Sequence, residues 1–380
     1  MPAGAFSNLG PQPWSLWRYR GALPFDASAT GWQAVTMGEG ATPLVAADDG
    51  LALKLDFLMP TLSFKDRGSV VLVAKAAELG VRHLVADSSG NAGASIAAYA
   101  ARAGIAAEVF VPAATSQKKV AQLTGYGASV HRVNGDRAAA AAAAIDHVET
   151  TGAFYASHVY NPLFHHGTKT FAFELWEQLG GRAPGTVVLP AGNGTLLIGA
   201  AIGFKELVAA GLVDRVPRLV AVQAERCAPL ARAVRAAGPA PPAQHGPDEQ
   251  GPDEQRSGKQ RPGEQRSGKQ RPGEKGPGEQ RPGEAALQTA AEGIAIAEPP
   301  RLDQMRELVA ESGGTVITAT EEGISSARLA LAAHGIDVEP TAATTYAAWL
   351  ERAGAPVPAP VVLAMTGAGL KSPRGPAPPL

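Results

Sequence analysis

Short runs of β-branched and aliphatic residues alternate along this chain with Ala-rich stretches whose apolar positions recur at helical spacing. The candidate strands are His83–Ala86, Ala107–Val111, Ser129–Val133, Thr186–Leu189, Arg218–Gln223, Thr315–Ala319 and Pro360–Ala364. The candidate helices are Asn91–Ala103, Ser116–Tyr126, Arg137–Thr150, Thr168–Leu179, Leu196–Ala210, Leu302–Glu311, Glu321–His334 and Thr341–Arg352. A further helix follows Lys65, through Ser69–Glu78, with Ser63 as its expected N-cap. Strand and helix in alternation predict an α/β chain with parallel strands. In open parallel sheets, ligands sit at the carboxyl ends of the strands, where the loop enters the next helix. Those loops are the ones to read for chemistry.

One stretch breaks the pattern. From Gly238 to Glu284 the chain is Pro, Gly, Gln, Glu, Arg and Lys with almost nothing apolar, and Gly246–Gln250 recurs directly as Gly251–Gln255. Such a sequence cannot bury enough surface to offset its ordering entropy, so a disordered low-complexity insertion is expected over 238–284. Elsewhere the balance is ordinary. A formal net charge of -1 over 380 residues gives no reason to expect nucleic acid or an acidic membrane as partner. The single cysteine, Cys227, excludes an intramolecular disulfide framework and a cysteine-rich zinc site. No metal site is expected, because His165 and His166, being adjacent, point different ways on a helix. The first residues lack a signal-peptide pattern, and no apolar run reaches the ~18 residues of a membrane helix. A cytoplasmic protein is the expectation.

Lys65 stands in Ser63-Phe64-Lys65-Asp66-Arg67-Gly68, at the start of a helix. A cation there faces the positive end of the helix dipole, a mismatch of about 0.3–1 kcal/mol. The field favours the neutral amine, which is a nucleophile and a candidate Schiff-base former. Three loops bear on what it attacks. The turn Ser88-Ser89-Gly90-Asn91-Ala92 opens a helix with small side chains, accessible amides and an Asn carboxamide, and suits an oxygen anion. The loop Gly192-Asn193-Gly194-Thr195 also opens a helix, and its glycines permit close approach of a phosphate. Leu197 stands where a dinucleotide-binding loop needs its third glycine, and the P-loop pattern is absent. After the last strand, Thr366 offers a hydroxyl able to bond a ring nitrogen. An amine, a phosphate cradle, an amide and a hydroxyl are the requirements of pyridoxal 5'-phosphate.

The motifs Ser63–Gly68, Ser89-Gly90-Asn91, Gly192–Thr195 and Thr366-Gly367-Ala368-Gly369-Leu370-Lys371 resemble the fold type II pyridoxal-phosphate enzymes, the threonine synthase family above all. Leu16–Arg20, Gly38–Leu44 and Val338–Ala343 agree with it, so the likeness spans nearly the whole chain outside the insertion. The resemblance implies two open, mostly parallel sheets flanked by helices. It implies a large cofactor domain from residues 1–80, 163–237 and 285–380, and a smaller domain over 81–162. A homodimer acting on a small amino-acid substrate is implied as well. The reaction it implies converts O-phospho-L-homoserine and water to L-threonine and phosphate by γ-elimination and β-hydration. Lys65 then carries the cofactor and moves protons, while Asn91, Gly192, Asn193, Gly194, Thr195 and Thr366 bind the cofactor. Ser88, Ser89, Gly90, Ala92 and Ser157 receive the substrate.

Some positions depart from the family. Ala92 stands where threonine is usual, and Gly192–Thr195 replaces a Gly-Asn-Ala-Gly-Asn loop. Phe164 occupies the place of an arginine expected to hold a substrate phosphate. Ala291–Ile296 looks more like the threonine and serine dehydratases. A dehydratase, or another elimination or replacement enzyme on an unphosphorylated amino acid, is therefore the alternative.

Overall fold

A computed structural model describes residue 6 and residues 13–26, 28–48, 50–237, 289–352 and 356–372. The insertion expected over 238–284 lies outside the described residues. Strands β1 (Leu44–Asp48), β2 (Leu51–Lys54), β7 (Thr186–Pro190), β8 (Arg218–Ala224), β9 (Thr315–Ala319) and β10 (Val361–Ala364) build a six-stranded sheet in the order β1-β2-β10-β7-β8-β9. Strands β3 (His83–Ala86), β4 (Ala106–Pro112), β5 (Ser129–Val133) and β6 (Phe154–Tyr155) build a four-stranded sheet in the order β5-β4-β3-β6. Only β1 and β2 run antiparallel to one another; the other pairings are parallel. This is the α/β architecture of two open, mostly parallel sheets.

Parallel strands need helical crossovers, and helices cover both faces of each sheet. One face of the larger sheet packs on α7 (Thr170–Gln178), α8 (Thr195–Ala209), α9 (Pro229–Ala237) and α10 (Leu302–Glu311). The other face packs on α11 (Glu321–Ala333) and α12 (Pro340–Glu351). The smaller sheet carries α1 (Trp32–Val35), α2 (Lys65–Glu78), α3 (Asn91–Ala103) and α4 (Gln117–Gly125) on one face, and α5 (Arg137–Thr151) on the other. Helix α2 is buried at each position from Asp66 to Ala74, so it lies in the middle of the molecule and not on its skin.

Two expectations about elements need correction. The helix predicted over Thr168–Leu179 is two helices, α6 (Pro162–Thr168) and α7, meeting at Lys169. Asn161 starts α6 by accepting from the Leu163 amide, with Pro162 at the first helical position. Strands β1, β2 and β6 carried no sequence signal. β1 is an edge strand exposed at nearly every position, and β6 has only two residues. Among the described residues, no helix is long and apolar enough to cross a membrane.

Candidate active site

Lys65 is the first residue of α2, at the carboxyl end of the large sheet. Ser63 does not cap that helix, contrary to expectation. Phe64 precedes the first turn with no side-chain cap, while the Ser63 hydroxyl is buried without a partner and its backbone bridges to Gly367. The turn before the helix is tied down instead by Asp66, whose carboxylate accepts from the Thr61 amide at 2.7 Å and from the Thr61 and Ser95 hydroxyls. Burial pushes the Asp66 carboxyl up to about 6, with those hydrogen bonds working against the rise. The Phe64 amide donates to the Thr366 carbonyl at 2.9 Å, so the start of α2 is stitched to the loop after β10.

The next residue, Arg67, anchors the helix from below. Its guanidinium donates to Asp56 through Nε and Nη2, both at 2.8 Å, and to Glu174 at 2.7 and 2.8 Å. Lys54 donates to the same Glu174 at 2.8 Å, so two cations face two carboxylates in a wholly buried, charge-balanced cluster. Burial works to raise the Glu174 carboxyl, but Arg67 and Lys54 outweigh it and hold it well below the usual carboxylate range. With both lone pairs and both cations satisfied, the cluster fixes where α2 begins and hence where Lys65 sits.

The Lys65 Nζ lies 3.6 Å from the centre of the Phe64 ring. Burial pushes this amine down to about 7; Lys371 adds to the fall and Glu339 opposes it. Desolvation is thus the main cause, rather than the helix dipole from which the sequence argument started. A lysine near neutrality is a competent nucleophile and proton carrier.

The glycine loop follows β7. Gly194 has φ +75°, in the left-handed region, and a β-carbon there would stand 2.3 Å from the Met305 sulfur. A β-carbon on Gly192 would come within 2.9 Å of Ile294. Glycine at both positions is therefore a steric requirement. Among the described residues, no hydrogen bond is seen for the amides of Gly192, Asn193, Gly194 or Thr195, and the loop leads into the start of α8, where an anion is favoured. Thr366, at the end of β10, is buried with its hydroxyl unpartnered. A buried hydroxyl left unsatisfied is costly, so a group that bonds it is called for.

Asn91 opens α3 and reaches across to the other sheet. Its Nδ2 donates to both oxygens of Glu339 at 3.2 and 3.1 Å, and its Oδ1 accepts from Lys371 at 3.1 Å. Glu339 and Lys371 were not among the predicted site residues. Ser88, Ser89 and Gly90 lie in the turn before α3, and a β-carbon on Gly93 would collide with the Ser88 carbonyl, so the turn is held hard against the helix. Ala92 is buried. Ser157 is fully buried, and its hydroxyl accepts from the Val159 and Tyr160 amides, both at 3.3 Å, which shapes the turn after β6. Phe164 is also fully buried, against Gly68 of α2. Burial pushes His165 and His166 down to about 4, so both are neutral packing groups. A cavity of about 530 Å³ lined by Arg137, Arg226, Thr289 and Glu292 flanks the segment against Gly192 and does not include Lys65.

The chain matches the family model described as "Pyridoxal-phosphate dependent enzyme" over residues 35–367. It belongs to that family. Its cofactor is pyridoxal phosphate, and the free loop amides, the orphan Thr366 hydroxyl and the near-neutral Lys65 amine fit that group. This pyridoxal-phosphate dependent enzyme is 31% identical over 345 residues to the threonine synthase of Methanosarcina acetivorans, covering 88% of this chain and 73% of that protein. It is 31% identical over 381 residues to the threonine synthase of Mycobacterium leprae, covering 95% of this chain and 90% of that one. Among solved structures, the threonine deaminase of T.th. aligns with TM-score 0.62 and 26% identity, covering 86% of this chain and 89% of that one. The serine racemase of Dictyostelium discoideum, at TM-score 0.62 and 20% identity over 86% of this chain and 92% of that one, shares the fold.

Proposed function

We propose that this protein is a threonine synthase-like lyase that converts O-phospho-L-homoserine and water to L-threonine and phosphate. The observation that carries the reading is the Lys65 amine, held near neutrality at the start of α2, which is hydrogen-bonded to the Thr366 carbonyl, in a chain whose relatives bear the name threonine synthase. When bound, the cofactor supplies an electron sink for carbanion chemistry. The amides of Gly192, Asn193, Gly194 and Thr195 would hold its phosphate, and Asn91 its ring oxygen. Thr366, a neutral hydroxyl, would face the ring nitrogen without protonating it, which suits elimination and replacement better than transamination. Lys65 would attach the cofactor and carry protons to and from the substrate carbons. The turn of Ser88, Ser89, Gly90 and Ala92, backed by the α3 amides, would receive the substrate carboxylate, with Ser157 shaping the far wall.

In this reading the six-stranded sheet belongs to the large cofactor domain and the four-stranded sheet to the smaller one. The same reading makes the enzyme a cytoplasmic homodimer serving threonine biosynthesis.

A dehydratase acting on threonine or serine is the second reading, favoured by the likeness to threonine deaminase and by Ala291–Ile296. Assays of phosphate release from O-phospho-L-homoserine and of 2-oxobutyrate release from L-threonine, run side by side, separate the two. Phosphate with threonine supports the first reading. Oxobutyrate alone, with no phosphate and no threonine formed, rejects it in favour of the second.

A further inference from the structure

His158 lies one residue beyond Ser157, in the turn between β6 and α6, and this turn is built rigidly. Arg301, just before α10, donates to the Val159 carbonyl at 2.7 Å and to the Tyr160 carbonyl at 3.4 Å. Ser157 closes the turn from inside, and Asn161 Nδ2 donates back to the Tyr155 carbonyl at 3.3 Å. The imidazole stands edge-on to Phe164, with ring centres 5.9 Å apart and planes at 70°. Phe164 in turn lies against Gly68, where an added β-carbon would sit 2.4 Å from its ring. Lys65 and Gly68 are i,i+3 neighbours on one face of α2. His158 is therefore stationed beside the Lys65 face of the helix.

The state of the ring follows from its surroundings. Its Nδ1 is buried without a partner, although the residue as a whole is only half-buried. Burial pushes the imidazole down to about 3, and the neighbouring Lys65, His165 and Arg137 lower it further. A neutral ring carries one proton. A buried lone pair without a partner is tolerated better than a buried N–H without one, so the proton belongs on Nε2. The ring then offers a neutral N–H donor on its other edge.

We propose that His158 is a substrate contact whose Nε2–H donates a hydrogen bond to the oxygen carried on the substrate's side chain. The inference rests on the amino-acid lyase reading above and adds to it the group that reads the side chain. A neutral donor accepts a phosphate-ester oxygen or a hydroxyl alike, without the fixed charge and bidentate fork of a guanidinium. Side-chain selection at this position then depends on the position of the oxygen more than on its charge.

The test is ligand binding to the holoenzyme, followed through the cofactor absorbance, with O-phospho-L-homoserine and with L-threonine as probes. His158→Ala is expected to raise the half-saturating concentration of both by about three- to tenfold, the loss of one hydrogen bond. His158→Gln, which keeps an N–H donor, is expected to recover most of it, and both variants should bind cofactor as the wild type does. Unchanged half-saturation in His158→Ala, or no recovery in His158→Gln, overturns the contact. Imidazole nitrogen NMR of the wild-type protein gives a second readout that needs no variant to fold. A neutral Nε2–H ring at neutral pH is expected, and an Nδ1–H ring or an imidazolium overturns the proposal. Binding that follows this pattern with no threonine formed counts against the proposed reaction while leaving the contact standing.

Discussion

The Asn91 carboxamide donates to both oxygens of Glu339, a residue 248 positions later in the chain, so the start of α3 is tied to the start of α12 across the cleft. Gly367 makes that approach possible, since a β-carbon there would lie 2.3 Å from the Glu339 carboxyl carbon. The Glu339 charge raises the Lys65 amine against the larger effect of burial. Removing it in Glu339→Gln should lower the amine further below about 7. The pH dependence of Lys65 acylation in the apoprotein reads this directly. A midpoint that stays put or moves up contradicts the coupling.

Lys65 itself should weaken the apoprotein. Its folded value of about 7 lies below the 10.5 of a free lysine. Between those values the unfolded chain binds the extra proton, so unfolding free energy rises with pH, and below the folded value the full penalty remains. Lys65→Met, which has no charge to desolvate, should be more stable than wild type at neutral pH. The gap should close as the pH climbs toward that of free lysine. Urea unfolding of both apoproteins across this window is the measurement, and a gap that widens with pH would refute the burial argument.

The Arg67 cluster should behave as a stability element of the whole molecule. Arg67→Met leaves Asp56 and Glu174 buried with Lys54 as the remaining cation among the described residues of the cluster, and removing one partner of a buried ion pair costs about 3–5 kcal/mol. Denaturant unfolding of the apoprotein checks this. A loss below about 1 kcal/mol, the range of an exposed pair, would mean that the cluster is not sealed from water.

Much of this was legible in the sequence, and the reason is local. Every residue of β7 is buried, so its run of β-branched residues announced a strand. Gly194 must be glycine because of its own φ and the Met305 contact, and such backbone demands are written into residue type. The partners of Asn91 had no such signature. Glu339 precedes a proline at a helix start and Lys371 follows a strand by several residues, and only the fold brings them to one amide. The Ser63 cap misled for the converse reason. Its local pattern was plausible, but Thr61 and Asp66 already satisfy that turn, and the Ser63 backbone is taken by Gly367.

Thr366 offers a prediction with opposite signs in two states. Its hydroxyl is buried and unpartnered, so Thr366→Val should leave apoprotein stability unchanged or slightly improved. The same change should weaken cofactor binding by about three- to tenfold, the range of one hydrogen bond. Thermal unfolding of the apoprotein and an absorbance titration with pyridoxal phosphate measure the two effects. A destabilised apoprotein with unchanged cofactor affinity would assign the hydroxyl a purely structural role.

The central claim is the addition of water to the substrate carbon with loss of its phosphate. Holoenzyme supplied with O-phospho-L-homoserine in oxygen-18 water tests it most directly. The account predicts L-threonine with the label in its side-chain hydroxyl, together with unlabelled phosphate, because elimination breaks the carbon–oxygen bond. Labelled phosphate beside homoserine, or 2-oxobutyrate without threonine, would contradict it.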